Sequence, residues 1–299
     1  MLSGILPVDK PAGFTSFDVI AKLRGVTHTR KIGHSGTLDP MATGVLPLFF
    51  GTATKACSIL PNEDKRYAAS LRLGMTTDTE DITGKVLSET PSAVTEERFR
   101  AVAAEFVGAL MQTPPMYSAV KVGGRPLYDL ARKGREVERP AKEIRVYSLD
   151  VTAFDEEAQT AQIEVFCGKG TYIRTLIADM GRILGCGAVM TALRRTEAGG
   201  FRESECYTIA EVQEMMANDT LEEALLPPKR LFDSLPRLEL CDFDARLYQN
   251  GVPLELEKRG WGGISGDIAV YDRRGEFLGV SYMDEAENEL KLRKLFARE

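Results

Sequence analysis

Gly33-His34-Ser35-Gly36-Thr37-Leu38-Asp39-Pro40-Met41-Ala42-Thr43-Gly44 runs directly into Val45-Leu46-Pro47-Leu48-Phe49-Phe50. Three glycines and a proline give the first twelve residues a backbone of unusual conformations. Such a loop can carry one side chain into a cleft and let a substrate backbone approach closely. Asp39 is its only carboxylate. An aspartate before proline is also an ordinary turn former, and the residues alone leave both readings open. The apolar stretch after the loop reads as a strand.

Upstream, GILPVDKP (4–11) reads as a short strand ending in a turn. TSFDVIAKLRG (15–25) reads as a helix capped by Thr15 or Ser16. Downstream, TATKACSIL (52–60) is a helix candidate and KRYAASLRLG (65–74) a strand closed by Gly74. The acidic TTDTEDITG (76–84) reads as a loop. TEERFRAVAAEFVGAL (95–110) predicts a helix capped by Thr95, with Phe99, Val102, Phe106, Val107 and Leu110 on one face. After the proline-stiffened QTPPM (112–116), SAVKV is strand-like and PLYDLARKG helical. EIRVYSLDVTAFD (143–155) and TAQIEVFC (160–167) read as strands, and YIRTLIADMGRILG (172–185) as an amphipathic helix. Strands and helices mix without βαβ alternation, which predicts an α+β domain with a mainly antiparallel central sheet flanked by helices. The text changes around PPKRLFDSLP (227–236), after which short β-like pieces follow one another between glycines. The expected division is a domain of residues 1–234 and a small β-rich domain of residues 235–299.

Composition narrows the function. Hydrophobic residues make 43% and charged residues 27% of 299, an ordinary globular balance. No apolar run reaches the roughly 18 residues that span a bilayer, and no signal peptide is visible, so a cytoplasmic protein is expected. Five scattered cysteines never form CxxC, and only two histidines exist, so no metal site is expected. Dinucleotide and P-loop fingerprints are missing. The net charge of −6 by itself speaks against a nucleic-acid partner. The charges are segregated, however. Residues 119–145 hold eight Lys/Arg against four acids, residues 165–202 six against two, and residues 203–225 seven acids and no base. That pattern suits one anion-binding face and an acidic back. Chance clustering on solvated helices would look the same.

Two further segments are candidates for chemistry. Lys65-Arg66-Tyr67 enters a strand, and its tyrosine is either a site residue or a strand-edge aromatic between solvated bases. Gly168-Lys169-Gly170-Thr171-Tyr172-Ile173-Arg174 leads into a helix whose free N–H groups suit an anion, or is a plain strand–helix turn.

In this order the three segments resemble the TruB family of bacterial tRNA pseudouridine-55 synthases. GHSGTLDPMATGVLPL (33–48) matches the family's catalytic-loop motif nearly letter for letter, with Ser35 where Thr is common and Met41 where Leu is common. GILPVDKPAGFTS, KRYAASLRLG, QTPPMYSAVKVGGRPLYDLARKG, GTYIRTLIADMG and ALRRTEAGGF resemble its other motifs. The match runs from residue 4 to about residue 202, with a looser PUA-like tail. The resemblance implies a pseudouridine synthase core that needs no cofactor and acts on the T-arm of tRNA. It implies Asp39 as the catalytic carboxylate, either attacking the sugar or taking a proton from it. Arg174 would pair with Asp39, and Tyr67 would lie against the base. Tyr172, Leu193, His34 and Lys10 would complete the substrate pocket. Lys121, Arg125, Arg132, Lys133, Lys169, Arg194 and Arg195 are the candidates for RNA-backbone contacts, with Arg24 in addition. A monomer working without guide RNA or membrane is expected. Two alternatives stand beside it: a guide-RNA-dependent catalytic subunit, and a non-catalytic RNA-binding or tRNA-folding module. A folding role alongside catalysis also stays open.

Overall fold

The computed structural model describes residues 2–296 apart from 119, 132 and 136. Its centre is a nine-stranded sheet. Seven strands lie in the order Gly4–Lys10, Thr43–Phe50, Ala188–Ala198, Lys65–Leu73, Thr160–Cys167, Lys142–Asp155 and Gly108–Gln112. Two short strands, Ile32–His34 and Phe201–Arg202, add to it. Every pairing is antiparallel except one, between Thr43–Phe50 and Ala188–Ala198. The mainly antiparallel α+β expectation holds. That single parallel contact covers only Arg194 opposite Thr43 and Arg195 opposite Gly44. The two halves of the sheet therefore touch briefly, and the glycine-bearing loop 35–42 enters the sheet at that point, at Thr43. Gly44 has φ +100, and a Cβ there would stand 2.2 Å from the Arg195 carbonyl oxygen, so only glycine fits this crossing.

One face of the sheet is covered by the helices Glu96–Ala104 and Ile173–Leu184, whose apolar sides share a buried cluster with Leu71, Val146, Ile163 and Met190. The helix Ser16–Thr27 starts at Thr15, whose side chain accepts from the Asp18 N–H while the Asp18 carboxylate accepts from the Thr15 N–H. It packs Val19, Ile20 and Leu23 against the strands Gly4–Lys10 and Thr43–Phe50.

Two expectations need correction. The predicted helix 95–110 ends at Ala104. Gly108 takes φ +114 and starts a strand that pairs with Lys142–Val146, so Leu110 serves the sheet rather than a helix face. Backbone pairing along an otherwise open sheet edge outweighs helix periodicity there. Gly51–Ser58 is a 3-10 helix.

After residue 236 the chain builds a second sheet, with strands in the order Arg237–Leu240, Asp267–Asp272, Phe277–Asp284, Glu289–Leu295 and Leu254–Glu255. A buried aromatic cluster joins it to the first body: Phe201 and Phe232 from one side, Tyr271, Phe277 and Phe296 from the other. Lys55 also donates to the Leu295 carbonyl at 3.0 Å. No helix among the described residues is long and apolar enough to cross a membrane. The five cysteines are unpaired, and burial pushes the Cys57 and Cys167 thiols up to about 11.

The helix Ile173–Leu184 is seated by Gly181. A Cβ there would lie 2.2 Å from the Ala188 nitrogen and 2.6 Å from the Ala188 Cβ. Alanine gains about 1 kcal/mol of helix propensity over glycine, but overpacking against fixed backbone costs about 1–3 kcal/mol. Gly181→Ala is expected to lower the thermal midpoint, by about 2–4 °C per kcal/mol lost. An unchanged or raised midpoint in a melting scan would refute this packing.

Candidate active site

Asp39 and Arg174, from segments far apart in the chain, meet as an ion pair. Arg174 Nε lies 2.9 Å from Asp39 Oδ2, and Nη2 donates to Oδ1 at 3.2 Å. The guanidinium is only 4% exposed, while the Asp39 side chain keeps 33%, so a substrate can reach the carboxylate but not its partner. Arg174 is held from behind as well. Nη1 donates to the Thr79 carbonyl at 2.9 Å and Nη2 to the Tyr117 carbonyl at 3.0 Å. Asp81, 4% exposed, stands 3.8 Å from Nη1. Its other oxygen accepts from the Thr79 hydroxyl and from the Thr83 N–H and hydroxyl. The acidic stretch 76–84, read from sequence only as a loop, thus supplies the backing of the guanidinium.

Burial raises the Asp39 pKa above the ordinary carboxylate value, the Arg174 cation opposes this, and Asp81 adds to the rise. Glu80, hydrogen-bonded by the Thr175 hydroxyl at 2.5 Å, is raised by burial too. The start of the Arg174 helix is fixed by Gln112, which accepts from the Tyr172 N–H at 2.8 Å and donates to the Tyr172 carbonyl at 3.1 Å.

The loop carrying Asp39 is tied down on three sides. The Ser16 hydroxyl accepts from the Leu38 N–H at 2.9 Å. Lys10 donates to the carbonyls of Pro11 (2.9 Å), Phe14 (2.6 Å) and Pro40 (3.2 Å). Arg195 donates to the Val45 carbonyl at 2.7 Å and the Gly36 carbonyl at 2.9 Å. Both cations are fully buried, and burial pushes the Lys10 amine down to about 8. Two expectations are thereby corrected. Lys10 faces main-chain carbonyls rather than the substrate, and Arg195 cannot reach a surface phosphate. Alternation along Leu193-Arg194-Arg195 puts residue 195 on the same inner face as Leu193, the one sequence signal for its burial.

The other nominated residues fall as follows. Tyr67 and Leu193 share the buried cluster that contains Leu38 and Ile173. Burial raises the Tyr67 phenol, with the Arg195 cation opposing. Tyr172 occupies the N-cap position of the Arg174 helix without a side-chain capping bond. His34 is half-buried beside the loop, edge-on to Phe17 at 5.7 Å between ring centres. Burial lowers its pKa, and its Nδ1 has no hydrogen-bond partner. Arg194 is half-buried on the opposite face, paired with Asp9 at 3.0 Å and Glu203 at 2.8 Å. Lys169 is paired with Glu63 at 2.6 Å. Arg125 and Lys133 are exposed. Arg132 and the side chain of Lys121 lie outside the described residues.

A cavity of about 810 Å³ abuts the loop, lined by Ala12, Pro40, Met41, Ala69, Leu193 and Arg194 among others. Asp39, Tyr67 and Arg174 do not line it, so the ion-pair geometry identifies the site better than the volume does. Among the described residues no group of three His, Cys, Asp or Glu side chains is placed to hold a metal.

Comparison with known proteins agrees along the chain. Residues 24–173 match the model of the TruB family pseudouridylate synthase N-terminal domain. Residues 174–233 match that of the tRNA pseudouridylate synthase B C-terminal domain. A tRNA pseudouridine synthase B from Ralstonia nicotianae is 44% identical over 286 residues, covering 93% of this chain and 90% of the relative. One from Pediococcus pentosaceus is 43% identical over 257 residues, covering 84% and 86%. Among solved structures, a Cbf5–Nop10–Gar1 complex contains a chain 26% identical to this one, with TM-score 0.76, covering 99% of this chain and 85% of the other. With matched domains through residue 233 and relatives above 40% identity over most of its length, this chain belongs to the TruB family of pseudouridylate synthases.

Proposed function

We propose that this TruB-family enzyme converts uridine to pseudouridine in tRNA, at position 55 of the T-loop, with Asp39 as the reacting carboxylate. The observation that carries this reading is the Arg174–Asp39 pair, a buried guanidinium gripping a carboxylate that is still reachable.

The reaction breaks the N1–C1′ bond of the uridine, turns the detached uracil and joins C5 to C1′. The C5 proton is lost and N1 gains one, so the product is an isomer, and no redox partner or phosphate donor is consumed. Attack on the sugar and removal of a sugar proton both need an ionised carboxylate. Arg174 favours that form against the effect of burial. Tyr67 offers an aromatic face to a uridine that has left its stack, and a hydroxyl for the proton leaving C5. Leu193 and Tyr172 wall the pocket, and His34 lies beside the extruded nucleotide. A folded tRNA loop suits this site, because loops present bases that an A-form helix hides.

Identity above 40% to tRNA pseudouridine synthases B, against 26% to the chain of the Cbf5 complex, supports action on tRNA without guide RNA. We further propose a cytoplasmic monomer that needs no cofactor. Residues 235–299 form its PUA-like domain, on the acceptor-stem side of the tRNA. A folding role beside catalysis is compatible with Asp39→Asn keeping tRNA affinity.

Tritium release from uracil C5 of an unmodified tRNA transcript tests the assignment. Wild type is expected to turn over without added metal or nucleotide. Asp39→Asn should release none while still binding tRNA, and turnover by that variant would refute the role of Asp39. Tyr67→Ala should slow the single-turnover rate by on the order of 10²-fold or more and weaken binding by only about tenfold. Equal losses in rate and affinity would make Tyr67 a binding residue alone.

A further inference from the structure

Three of the seven cations expected to meet the RNA backbone are already engaged: Arg194 and Lys169 in ion pairs, Arg195 in the interior. A different run of positive charge is free. Between Asp18 and Asp39 there is no acidic residue, yet Lys22, Arg24, Arg30 and Lys31 all occur there. All four are exposed, and none has a carboxylate partner among the described residues, although Arg24 also donates to the Ile32 carbonyl at 3.4 Å. The negative end of the helix Ser16–Thr27 accounts for Arg24, which sits in its last turn, but not for Arg30 and Lys31 beyond it.

The same helix presents an exposed aromatic. Phe17 is 68% accessible, unusual for a ring in the first turn of a well-packed helix. Phe17, Ala21, Arg24 and the capping His28 follow one another at helical spacing along one exposed side. Phe17 meets the edge of His34, and its neighbour Ser16 is bonded to Leu38, next to Asp39. The stripe therefore begins beside the reacting carboxylate and runs away from it as positive charge with no carboxylate partner among the described residues. An aromatic ring followed by unpaired cations is the combination that binds single-stranded nucleic acid, with bases stacking on the ring and phosphates meeting the cations.

We infer that the outer face of this first helix, from Phe17 through Arg24 to Arg30 and Lys31 beyond its end, is the surface on which the RNA strand flanking the target uridine lies. Phe17 takes the base next to the extruded nucleotide, whose stacking partner has left. Arg24, Arg30 and Lys31 neutralise the phosphates that follow. This rests on the proposed action on tRNA and names the surface that serves it.

The test is binding of unmodified tRNA transcript across a range of salt, with turnover measured alongside. Each lost single-strand phosphate contact removes about 0.7 from the slope of log K against log salt. Arg24→Ala/Arg30→Ala/Lys31→Ala should therefore flatten the slope by about 2 and weaken binding most at low salt. Phe17→Ala should weaken binding about five- to fiftyfold at every salt concentration, with the slope unchanged. Phe17→Trp should restore affinity. In transcripts with 2-aminopurine beside the target uridine, wild type should quench the fluorescence on binding and Phe17→Ala should not. These side chains are exposed, so melting midpoints should stay near wild type. Wild-type slope, affinity and quenching in the variants, with wild-type turnover intact, would overturn the inference. Failure of wild type itself to turn over tRNA would instead overturn the proposed function.

Discussion

The interaction between Arg174 and Asp39 spans 135 residues of chain, and most of the local architecture exists to make it possible. A carboxylate drawn into a protein tends to take up a proton, because burial penalises the charged form. Asp39 is pushed in that direction by burial and again by Asp81. Arg174 opposes both, as a rigid fork making two contacts with one carboxylate. The fork is itself aimed by the Thr79 and Tyr117 carbonyls, which a lysine could not engage with the same planarity.

Holding two side chains from distant segments in this geometry sets the demands on the rest of the chain. The Arg174 helix is positioned by Gln112 at its start and by the close seat of Gly181 on Ala188. The Asp39 loop is positioned by Lys10, Ser16 and Arg195. Two of these three are fully buried cations that donate to main-chain carbonyls, and Arg195 also acts on the Tyr67 phenol. Their burial is costly unless each polar atom finds a partner. Lys10 has three acceptors. Arg195 leaves Nη1 without one, and that unpartnered nitrogen lies close to Gly36 in the loop.

Much of this was legible in the residues. Alternation marked the strands 65–73 and 160–167, and helical periodicity with a capping threonine marked Ser16–Thr27. Asp39, Tyr67 and Arg174 each gave a weak signal singly, and only the order of their motifs joined them. What stayed hidden was hidden for physical reasons. The strand Ala188–Ala198 lies at the centre of the sheet but carries Arg194, Arg195 and Glu197, so it does not look like a core strand. Lys10 and Arg195 look like surface cations, because what buries them is a set of carbonyls that only the tertiary fold brings together. Asp81 sits in an acidic loop and looks solvated until Arg174 is seen beside it. The helix at 95–110 was overestimated because the strand Gly108–Gln112 is selected by its partner strand, not by its own pattern.

The central claim is that Arg174 keeps Asp39 ionised inside its cleft. A carbon-13 NMR titration of the Asp39 side-chain carboxyl, in wild type and in Arg174→Met, measures this directly. Burial places the wild-type midpoint above the ordinary 3.8, and removing the guanidinium should raise it further, since the opposing cation is lost. An Asp39 that titrates at the same pH with and without Arg174, or lower without it, would contradict the account.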